Sequence, residues 1–379
     1  MLLKKLLLSV VFIFVFSFSV YSADEPSLSA QSAILINAQT KEIIFEKNAY
    51  DRHSMASTTK IMTSLLAIES GRMSEVVTAE NMAAEGTSIG LKNGYRLTLE
   101  TLVWGMLLES GNDAAIMTAN YLAGSEEAFS VLMNEKAKSV GMTDTNFVTA
   151  SGLDDEIHYS TAYDMAVLGA YAICNPVFSE MCSTKIKTVR FIEPDISITF
   201  TNHNKLLTMC EGTFGIKTGF TKKSGRCLVS VCKRDGVTLV AVTLNAGDDW
   251  NDHIKLYNYG FENTFCEELY FRLPEKIRVY GGVNAECRVD IAHGPATFSR
   301  FKTDCALTQK VYLPKFIYAP ISKGETIGKV KLYSGNKTVS VYDIVAQEDI
   351  LSAGPLPEKQ SLITKLKCKI TEFFNDRKD

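Results

Sequence analysis

The sequence has few of the residues on which metal sites and disulfide frameworks depend. Its five histidines, among 379 residues, include no His-x-x-x-His or comparable pair, and no Cys-x-x-Cys occurs. The nine cysteines are an odd number at irregular spacings, which is not the pattern of a disulfide framework. We therefore predict no metal and no cofactor, and we interpret the cysteines as small buried hydrophobic residues.

An excess of positive charge is also absent. The chain carries 40 lysines and arginines against 43 aspartates and glutamates, for a formal net charge of −3. Nucleic-acid binding usually requires a basic surface, so we predict no nucleic-acid partner. Hydrophobic residues make up 46% and charged residues 22% of the chain, as is typical of globular proteins. The length allows about two or three domains.

Long hydrophobic runs are confined to the N-terminus. The basic start "MLLKK" is followed by the apolar stretch "LLLSVVFIFVFSFSV" and by small residues at Val20 and Ser22. This layout predicts a secretory signal peptide over residues 1–22, and therefore an exported protein. The alternative is an uncleaved anchor, but the run is short against the roughly 20 residues of a membrane span. Free thiols in an exported chain would indicate a poorly oxidising compartment.

The rest of the chain changes its pattern once. A predicted hairpin in "SAILINAQTKEIIFEKN" is followed by helical spacing of apolar residues, and strand-like segments take over after residue 190. This order predicts an α+β domain over residues 23–265, with helices packed on an antiparallel sheet. The predicted helices are 58–69, 99–108, 113–122, 126–140, 160–174 and 251–259.

Residues 266–352 show only strand patterns, so we predict a separate small all-β domain there. "SGNK" within this domain has the composition of a hairpin turn. The last predicted segment comprises residues 353–379. It contains the linker "SAGPLPEKQ", apart from the first serine, and one last helix.

The stretch "SMASTTKIMT" opens one of the predicted helices and carries Ser57 and Lys60 three residues apart. In a helix such side chains share one face, with Cβ atoms about 5–6 Å apart. A serine is a weak nucleophile, and a lysine can be its base when desolvation or a neighbouring cation keeps the amine neutral. The helix N-terminus adds N–H groups suited to developing negative charge. The same pattern is also common in ordinary capped helices.

Two further motifs carry residues suited to the same chemistry. "SGN" places Ser110 and Asn112 between two predicted helices, where they can relay a proton and hydrogen-bond a substrate amide. "KTG" places Lys217, Thr218 and Gly219 on a predicted strand, where the first two can hold a carboxylate. A glycine inside a strand makes sense where another backbone, such as a peptide substrate, must come close. Each motif alone fits an ordinary turn or strand end, but their joint order is specific.

With these three motifs the chain resembles the low-molecular-mass penicillin-binding proteins, the serine-type D-alanyl-D-alanine carboxypeptidases. The resemblance covers residues 28–262 and includes "STTKIMT", "SGNDAA" and "GIKTGFTKKSGRCLVS". It implies a β-lactamase/transpeptidase-like catalytic domain followed by a β domain. It also implies action on peptidoglycan stem peptides at the outer face of the cytoplasmic membrane or in the cell wall, with β-lactam antibiotics as covalent inhibitors.

The resemblance implies a role for each residue of the first two motifs. Ser57 should attack the carbonyl of the penultimate D-alanine, with Lys60 as its base. Ser110 and Asn112 match the residues that relay the proton and position the substrate. The oxyanion hole should be formed by the backbone N–H groups of Ser57 and Phe220.

The third motif matches the carboxylate-binding part of the family's site. By resemblance, Lys217 and Thr218 should bind the terminal carboxylate of the substrate, next to Gly219. Many family members add an arginine after the last strand of the sheet, but the segment "NAGDDWNDHIKLYNYGF" has none. Carboxylate binding could therefore rest more on Lys217 and Thr218, or on Arg226 or His253, and the sequence does not decide among them.

Three other functions are alternatives to the carboxypeptidase. A D,D-endopeptidase that cuts peptidoglycan crosslinks would use the same chemistry. A class A β-lactamase would need a Glu-x-x-x-Asn segment, which is absent between residues 140 and 190, and would not need the additional β domain. A non-catalytic cell-wall-binding protein on this fold would not need its three motifs intact.

The last predicted helix has an amphipathic pattern. "LITKLKCKITEFF" places its leucines, isoleucines and phenylalanines at helical spacing, with lysines mostly between them. A basic amphipathic helix of this kind is suited to a membrane surface, so we predict membrane association through it. The alternative is a helix packed back on the β domain.

Overall fold

A computed structural model describes residues 25–80, 84–292, 296–301 and 307–354. The predicted signal peptide and the predicted C-terminal helix lie outside the described residues. The chain divides into two compact units, of which the first ends at Cys266, apart from a short stretch that starts at Ser299. The predicted domain limits of 23–265 and 266–352 remain predictions.

The first unit is built on one antiparallel sheet. Five strands form it in the order β2-β1-β9-β8-β7, and β7 is therefore an edge strand. Two separate hairpin-like pairs, β3-β4 and β5-β6, complete the strands of this unit. The strands are β1 (Ser32–Asn37), β2 (Ile43–Lys47), β3 (Val76–Thr78), β4 (Arg96–Thr98), β5 (Ile186–Phe191), β6 (Ile196–Thr201), β7 (Thr213–Thr221), β8 (Gly225–Arg234) and β9 (Val237–Ala246).

Helices lie on both faces of this sheet. A 3₁₀ turn, Ala56–Thr59, precedes the first helix, and a π-helical turn, Gly105–Glu109, follows the second. The α-helices are α1 (Lys60–Glu69), α2 (Leu99–Trp104), α3 (Asn112–Ala123), α4 (Glu126–Val140), α5 (Ala162–Ala172), α6 (Pro176–Ser183), α7 (Leu206–Met209) and α8 (Asp249–Asn263).

The alternation of side chains along β1 shows how the two layers are held. Ile34 and Ile36 point into the core shared with α1 and α5, whereas Leu35 points into a second core beneath α8. A Cβ at Gly260 of α8 would lie 2.5 Å from Leu35 Cδ2, so the missing side chain lets this helix approach the sheet. Each fully buried aliphatic side chain contributes about 1.5–3 kcal/mol to such packing. The predicted class, helices on an antiparallel sheet, is confirmed.

Most predicted helices are present, and the differences have local causes. The first α-helix starts at Lys60 rather than Thr58, because the preceding residues form the 3₁₀ turn. Helix α6 was not predicted, although Asn175 and Pro176 signal its start: the Asn175 side chain accepts hydrogen bonds from two N–H groups of the first turn.

The second unit is built from strands alone in its described residues, which confirms the predicted all-β class. Strand β10 (Thr264–Leu269) crosses the unit boundary and forms a two-stranded sheet with β13. A six-stranded sheet has the order β14-β16-β17-β12-β11-β15. The strands after β10 are β11 (Lys276–Tyr280), β12 (Glu286–Ile291), β13 (Ala296–Phe301), β14 (Leu307–Tyr312), β15 (Phe316–Tyr318), β16 (Thr326–Ser334) and β17 (Lys337–Ala346).

The core of this unit follows strict alternation. Along β12, Cys287, Val289 and Ile291 are buried, while the residues between them are exposed. The predicted "SGNK" turn joins β16 to β17, and its Gly335 has a φ of 56°, which glycine adopts without strain.

No single helix in the described part of the chain is long and apolar enough to cross a bilayer. One consecutive pair, Ala162–Ala172 and Pro176–Ser183, passes by combined length and composition but is bent by 108°.

Candidate active site

Ser57 and Lys60 meet at the start of α1. Ser57 lies in the 3₁₀ turn and Lys60 is the first residue of the α-helix. In a 3₁₀ turn, side chains three residues apart are nearly eclipsed, which brings these two together. Lys60 Nζ lies 2.9 Å from Ser57 Oγ.

The Lys60 amine is completely buried and has two further partners. Its Nζ lies 2.6 Å from Asn112 Oδ1 and 2.6 Å from the carbonyl oxygen of Ser151. Both partners can only accept hydrogen bonds. A neutral amine has two hydrogens and one lone pair, so these acceptors use both hydrogens. The lone pair is then left for the hydroxyl hydrogen of Ser57, which is the arrangement of a base and a nucleophile.

The surroundings of Lys60 favour this neutral form. Burial lowers the pKa of Lys60 well below the ordinary lysine value, and the nearby positive charge of Lys217 lowers it further. The carboxylate of Asp113 acts in the opposite direction but does not outweigh them. Desolvation, the largest cause, therefore favours Lys60 in the role of a proton acceptor.

Ser110 lies in a left-handed turn between the π-helical turn and α3. Its φ of 63° and ψ of 28° are rare for a residue with a side chain and cost on the order of 1–2 kcal/mol. Two backbone hydrogen bonds hold the turn: Gly111 N–H to the Gly105 carbonyl at 3.1 Å, and Asn112 N–H to the Thr87 carbonyl at 2.7 Å. The left-handed turn interrupts the helix and places Ser110 at the cleft.

The amide of Asn112 is held at both ends. Its oxygen accepts from Lys60, and its Nδ2 donates to the Glu85 carbonyl at 2.6 Å. The next residue, Asp113, accepts hydrogen bonds from the backbone N–H groups of Ile89 and Leu91 at 3.0 and 2.9 Å. The start of α3 therefore orients the base and holds the loop around residues 85–91 beside it.

Lys217, Thr218 and Gly219 lie on the edge strand β7. A Cβ at Gly219 would lie 3.0 Å from the backbone nitrogens of both Ser57 and Thr58. The sequence predicts that another backbone, such as that of a peptide substrate, comes close to this glycine. The structure shows that the protein's own 3₁₀ turn is one such backbone.

Lys217 is buried beside this contact. Its Nζ donates to the Thr218 carbonyl at 3.0 Å, and no ion pair of Lys217 occurs among the residues that the structure describes. Burial lowers its pKa to about 7. The protonated amine of Lys217 is therefore available to form an ion pair with a bound anion.

A cleft of about 330 Å³ opens above these groups. Five of the predicted residues line it: Ser57, Ser110, Thr218, Gly219 and Phe220. Lys60, Asn112 and Lys217 are buried and do not line it. The remaining lining residues are Thr87, His203, Lys205, Arg226, Asp249 and Trp250.

The structure also separates the two candidates for the missing arginine. Arg226 lines the cleft, where its guanidinium binds the Asp249 carboxylate at 2.6 Å and lies 5.5 Å from the centre of the Trp250 ring. His253 is fully buried between Ser230 and Thr243, and desolvation lowers its pKa to about 3. His253 is therefore unsuited to bind a carboxylate in the cleft.

Several groups of the site carry no signal in the sequence. The Ser151 carbonyl and the Glu85 carbonyl are backbone atoms, which any residue could supply. His203 and Lys205 lie within residues 28–262, which the family resemblance covers, but they belong to none of the three motifs.

Comparisons with known proteins agree on one family. A family model described as D-alanyl-D-alanine carboxypeptidase matches residues 19–248, and one described as the C-terminal domain of penicillin-binding protein 5 matches residues 301–352. D-alanyl-D-alanine carboxypeptidase DacF of Bacillus subtilis is 30% identical over 338 residues, covering 86% of this chain and 87% of DacF. D-alanyl-D-alanine carboxypeptidase DacC of Escherichia coli is 31% identical over 379 residues, covering 93% of each.

Solved structures show the same similarity. Penicillin-binding protein 5 from Haemophilus influenzae matches with a TM-score of 0.64 and 26% identity, over 86% of this chain and 99% of that one. A point mutant of a Streptomyces DD-transpeptidase matches with a TM-score of 0.60 and 27% identity, over 63% of this chain and 100% of that one.

The electrostatic coupling of the two lysines can be tested directly. Lys217→Gln should raise the pKa of Lys60, because it removes the like charge that disfavours the protonated amine. NMR titration of ¹³C-labelled lysine side chains would measure it. Lys205→Gln, which removes an exposed lysine from the same cleft, is the matched control and should leave the pKa of Lys60 in place. An unchanged Lys60 titration in Lys217→Gln would contradict the coupling.

Proposed function

The chain belongs to the D-alanyl-D-alanine carboxypeptidase family, and we propose that it removes the terminal D-alanine from peptidoglycan pentapeptide stems through an acyl-enzyme on Ser57. The observation that supports this most is the contact of Ser57 Oγ with a buried amine whose two other partners are acceptors. Penicillins would acylate the same serine, because their strained amide presents the same kind of carbonyl to it.

The acylation step follows from the hydrogen bonds around Lys60. Ser57 Oγ attacks the carbonyl carbon of the penultimate D-alanine while its proton passes to Lys60. The oxyanion is stabilised by the backbone N–H groups of Ser57 and Phe220, each worth about 3–4 kcal/mol in comparable sites. The terminal D-alanine leaves as an amine that takes up the proton, with Ser110 as the relay from Lys60. Water then hydrolyses the ester and frees Ser57.

The terminal carboxylate of the substrate needs cations at the other side of the cleft. We assign this role to Lys217, Thr218 and Arg226. Arg226 lies on β8 opposite Phe220 of β7, and it reaches the cleft from the strand rather than from the segment after the sheet. Its contacts with Asp249 and Trp250 restrict the guanidinium to one orientation, which lowers the entropy lost on binding.

Products distinguish this proposal from the endopeptidase alternative. Purified protein with a pentapeptide stem should yield tetrapeptide and free D-alanine, and crosslinked dimers should be cut slowly or not at all. Mass spectrometry of digested muropeptides would measure both. Rapid cleavage of crosslinks would favour the endopeptidase instead.

Ser57→Ala should abolish D-alanine release and covalent labelling by penicillin together, because both reactions use the same oxygen. Lys60→Ala should also block acylation, because Ser57 then lacks its base. Ser54→Ala is the matched control, since this hydroxyl binds Asp154 at 2.7 Å and should leave labelling intact. An acyl adduct on the Ser57→Ala protein would show that another residue is the nucleophile.

Arg226→Gln should lower kcat/KM for the pentapeptide by about 10- to 100-fold, as expected for the loss of a hydrogen bond to a charged group. A stem whose terminal carboxylate is amidated should be a poor substrate for both proteins and should not discriminate between them. Arg190→Gln, which breaks an exposed ion pair with Asp195, is the control. Equal losses with the free acid and the amide would place Arg226 outside the carboxylate site.

We also propose that the protein is exported and attached to the membrane surface through residues 358–379. This segment has six basic and four acidic residues, and its apolar residues have helical spacing. The apolar stripe would enter the headgroup region while the lysines face anionic lipid, each adding about 1 kcal/mol. The enzyme would thus be held near the stem peptides on which its family acts.

Deletion of residues 358–379 should release the mature protein from membranes and leave its activity on soluble peptide nearly unchanged. Sedimentation with membranes and a D-alanine assay would measure the two effects. High salt alone should release the protein only in part, because buried apolar area is not screened. A truncated protein that still sediments would place the anchor elsewhere, and one that no longer folds would show that the segment packs on the protein.

A further inference from the structure

Two cysteines remote from the predicted motifs lie side by side at the other end of β7. Cys210 follows α7, and Cys232 lies on β8 directly opposite Thr213, the first residue of β7. Both sulfurs lie near one atom, the Glu211 carbonyl oxygen, at 4.0 and 3.3 Å. The Thr213 N–H also donates to the Cys210 carbonyl at 3.1 Å, which holds Cys210 beside the strand position opposite Cys232. The two thiols therefore lie close together around one carbonyl oxygen.

The positive charge of Arg234 lies beside only one of the two thiols, that of Cys210. The Arg234 guanidinium lies 3.2 Å from Cys210 Sγ through Nη2 and 3.1 Å from the Glu211 carbonyl through Nε. It also packs over the Phe261 ring at 4.8 Å. These contacts fix the positive charge beside the Cys210 sulfur, where it stabilises a thiolate.

The pKa values of the two thiols differ in the direction that this geometry predicts. Interaction with the Cys232 thiol, followed by the Thr213 hydroxyl and the charge of Arg234, outweighs burial and lowers the pKa of Cys210 to about 6. The same interaction, together with burial, raises the pKa of Cys232. Cys210 keeps 7% of its surface exposed and Cys232 keeps none. A small neutral oxidant therefore meets Cys210 first.

The other described thiols lack this combination. Burial raises the pKa of Cys182 to about 12 and that of Cys227 to about 11. Cys174 is exposed, and its thiol donates to the Ala170 carbonyl at 3.3 Å. The chain thus offers both a buried and an exposed cysteine for comparison with the pair.

We propose that Cys210 and Cys232 form a redox-active thiol pair that a peroxide converts into an intrachain disulfide. The Cys210 thiolate attacks one oxygen of hydrogen peroxide, the O–O bond breaks, and Cys210 becomes a sulfenic acid while hydroxide leaves and takes up a proton. The Cys232 sulfur then attacks the Cys210 sulfur, the S–O bond breaks, and water leaves with the Cys232 proton. Two thiols and one peroxide give one disulfide and two waters.

The position of the pair gives this reaction a structural consequence. The disulfide would join the turn after α7 to β8, and β7 starts between them. His203 and Lys205 of the cleft precede this turn, and Lys217 and Gly219 follow it along β7. The cross-link would therefore restrain the strand that forms one side of the cleft. The inference does not depend on the proposed enzymatic function.

Peroxide treatment of the full mature protein, followed by alkylation and peptide mass spectrometry, tests this inference. Cys210 and Cys232 should be lost from the alkylated pool together and return as one linked peptide that a reductant separates. Cys232→Ser should instead accumulate a sulfenic acid on Cys210, which dimedone traps. Arg234→Gln should slow Cys210 oxidation about 3- to 10-fold near pH 7, because less thiolate is present. Arg190→Gln is the matched arginine control and should oxidise at the wild-type rate.

Cys227→Ser and Cys174→Ser are the matched cysteine controls and should leave the linked peptide unchanged. Should Cys232→Ser not fold, Cys232→Ala supplies the same trap. A linked peptide that joins Cys210 to any other cysteine would overturn the pairing. Dimedone labelling of Cys174 in preference to Cys210, or oxidation of Cys210 at the same rate in Arg234→Gln and wild type, would overturn the assignment of Cys210 as the reactive sulfur.

Discussion

The buried amine of Lys60 is the constraint on which the rest of the site depends. It is buried, and its three contacts come from three separate parts of the chain: the 3₁₀ turn with Ser57, the start of α3 with Asn112, and the carbonyl of Ser151. If any of these parts moved away, water would enter and the amine would be protonated, which would remove its lone pair from Ser57. The packing of the helices on the sheet therefore maintains the chemistry as well as the fold.

The edge strand β7 complements this arrangement. Gly219 allows the strand to approach the 3₁₀ turn, which places the cleft between the nucleophile and the predicted carboxylate-binding residues. Lys217, whose pKa is lowered to about 7, belongs to the predicted carboxylate-binding residues and also influences the pKa of Lys60. A bound carboxylate favours the protonated form of Lys217, and a charged Lys217 favours the neutral form of Lys60. Substrate binding and activation of the base would therefore reinforce each other.

The two ends of β7 carry different chemistry. Near its C-terminal end, burial lowers the pKa of Lys217 on the strand and of the neighbouring Lys60, the proposed base. At its N-terminal end, a fixed arginine beside Cys210 stabilises an anion, which serves attack on an oxidant. The same strand thus links a site where burial lowers the pKa of two lysines to one where neighbouring groups lower the pKa of a thiol. A restraint at the second end acts on the strand that forms the first.

The sequence by itself determined the class of the fold and the residues of the three motifs, because both depend on local patterns. Helical and strand periodicity predicted helices such as α4 and the sheet strands, and the spacing of Ser57 and Lys60 predicted one shared face. Helix α6 was missed although its Asn-Pro start was visible, and β10 was missed because it follows α8 without turn residues between them.

Only the tertiary structure decided how the motifs are joined. The contacts of Lys60 with Asn112 and Ser151 span 52 and 91 residues, and a backbone carbonyl leaves no trace in residue identity. Likewise, only the packing of the sheet and α8 determines that Arg226 faces the cleft and that His253 is buried. Cys210 and Cys232 come close together only because the turn after α7 lies beside β8. Long-range packing sets burial, and burial sets the pKa of each group, so local patterns could name these residues but not their states.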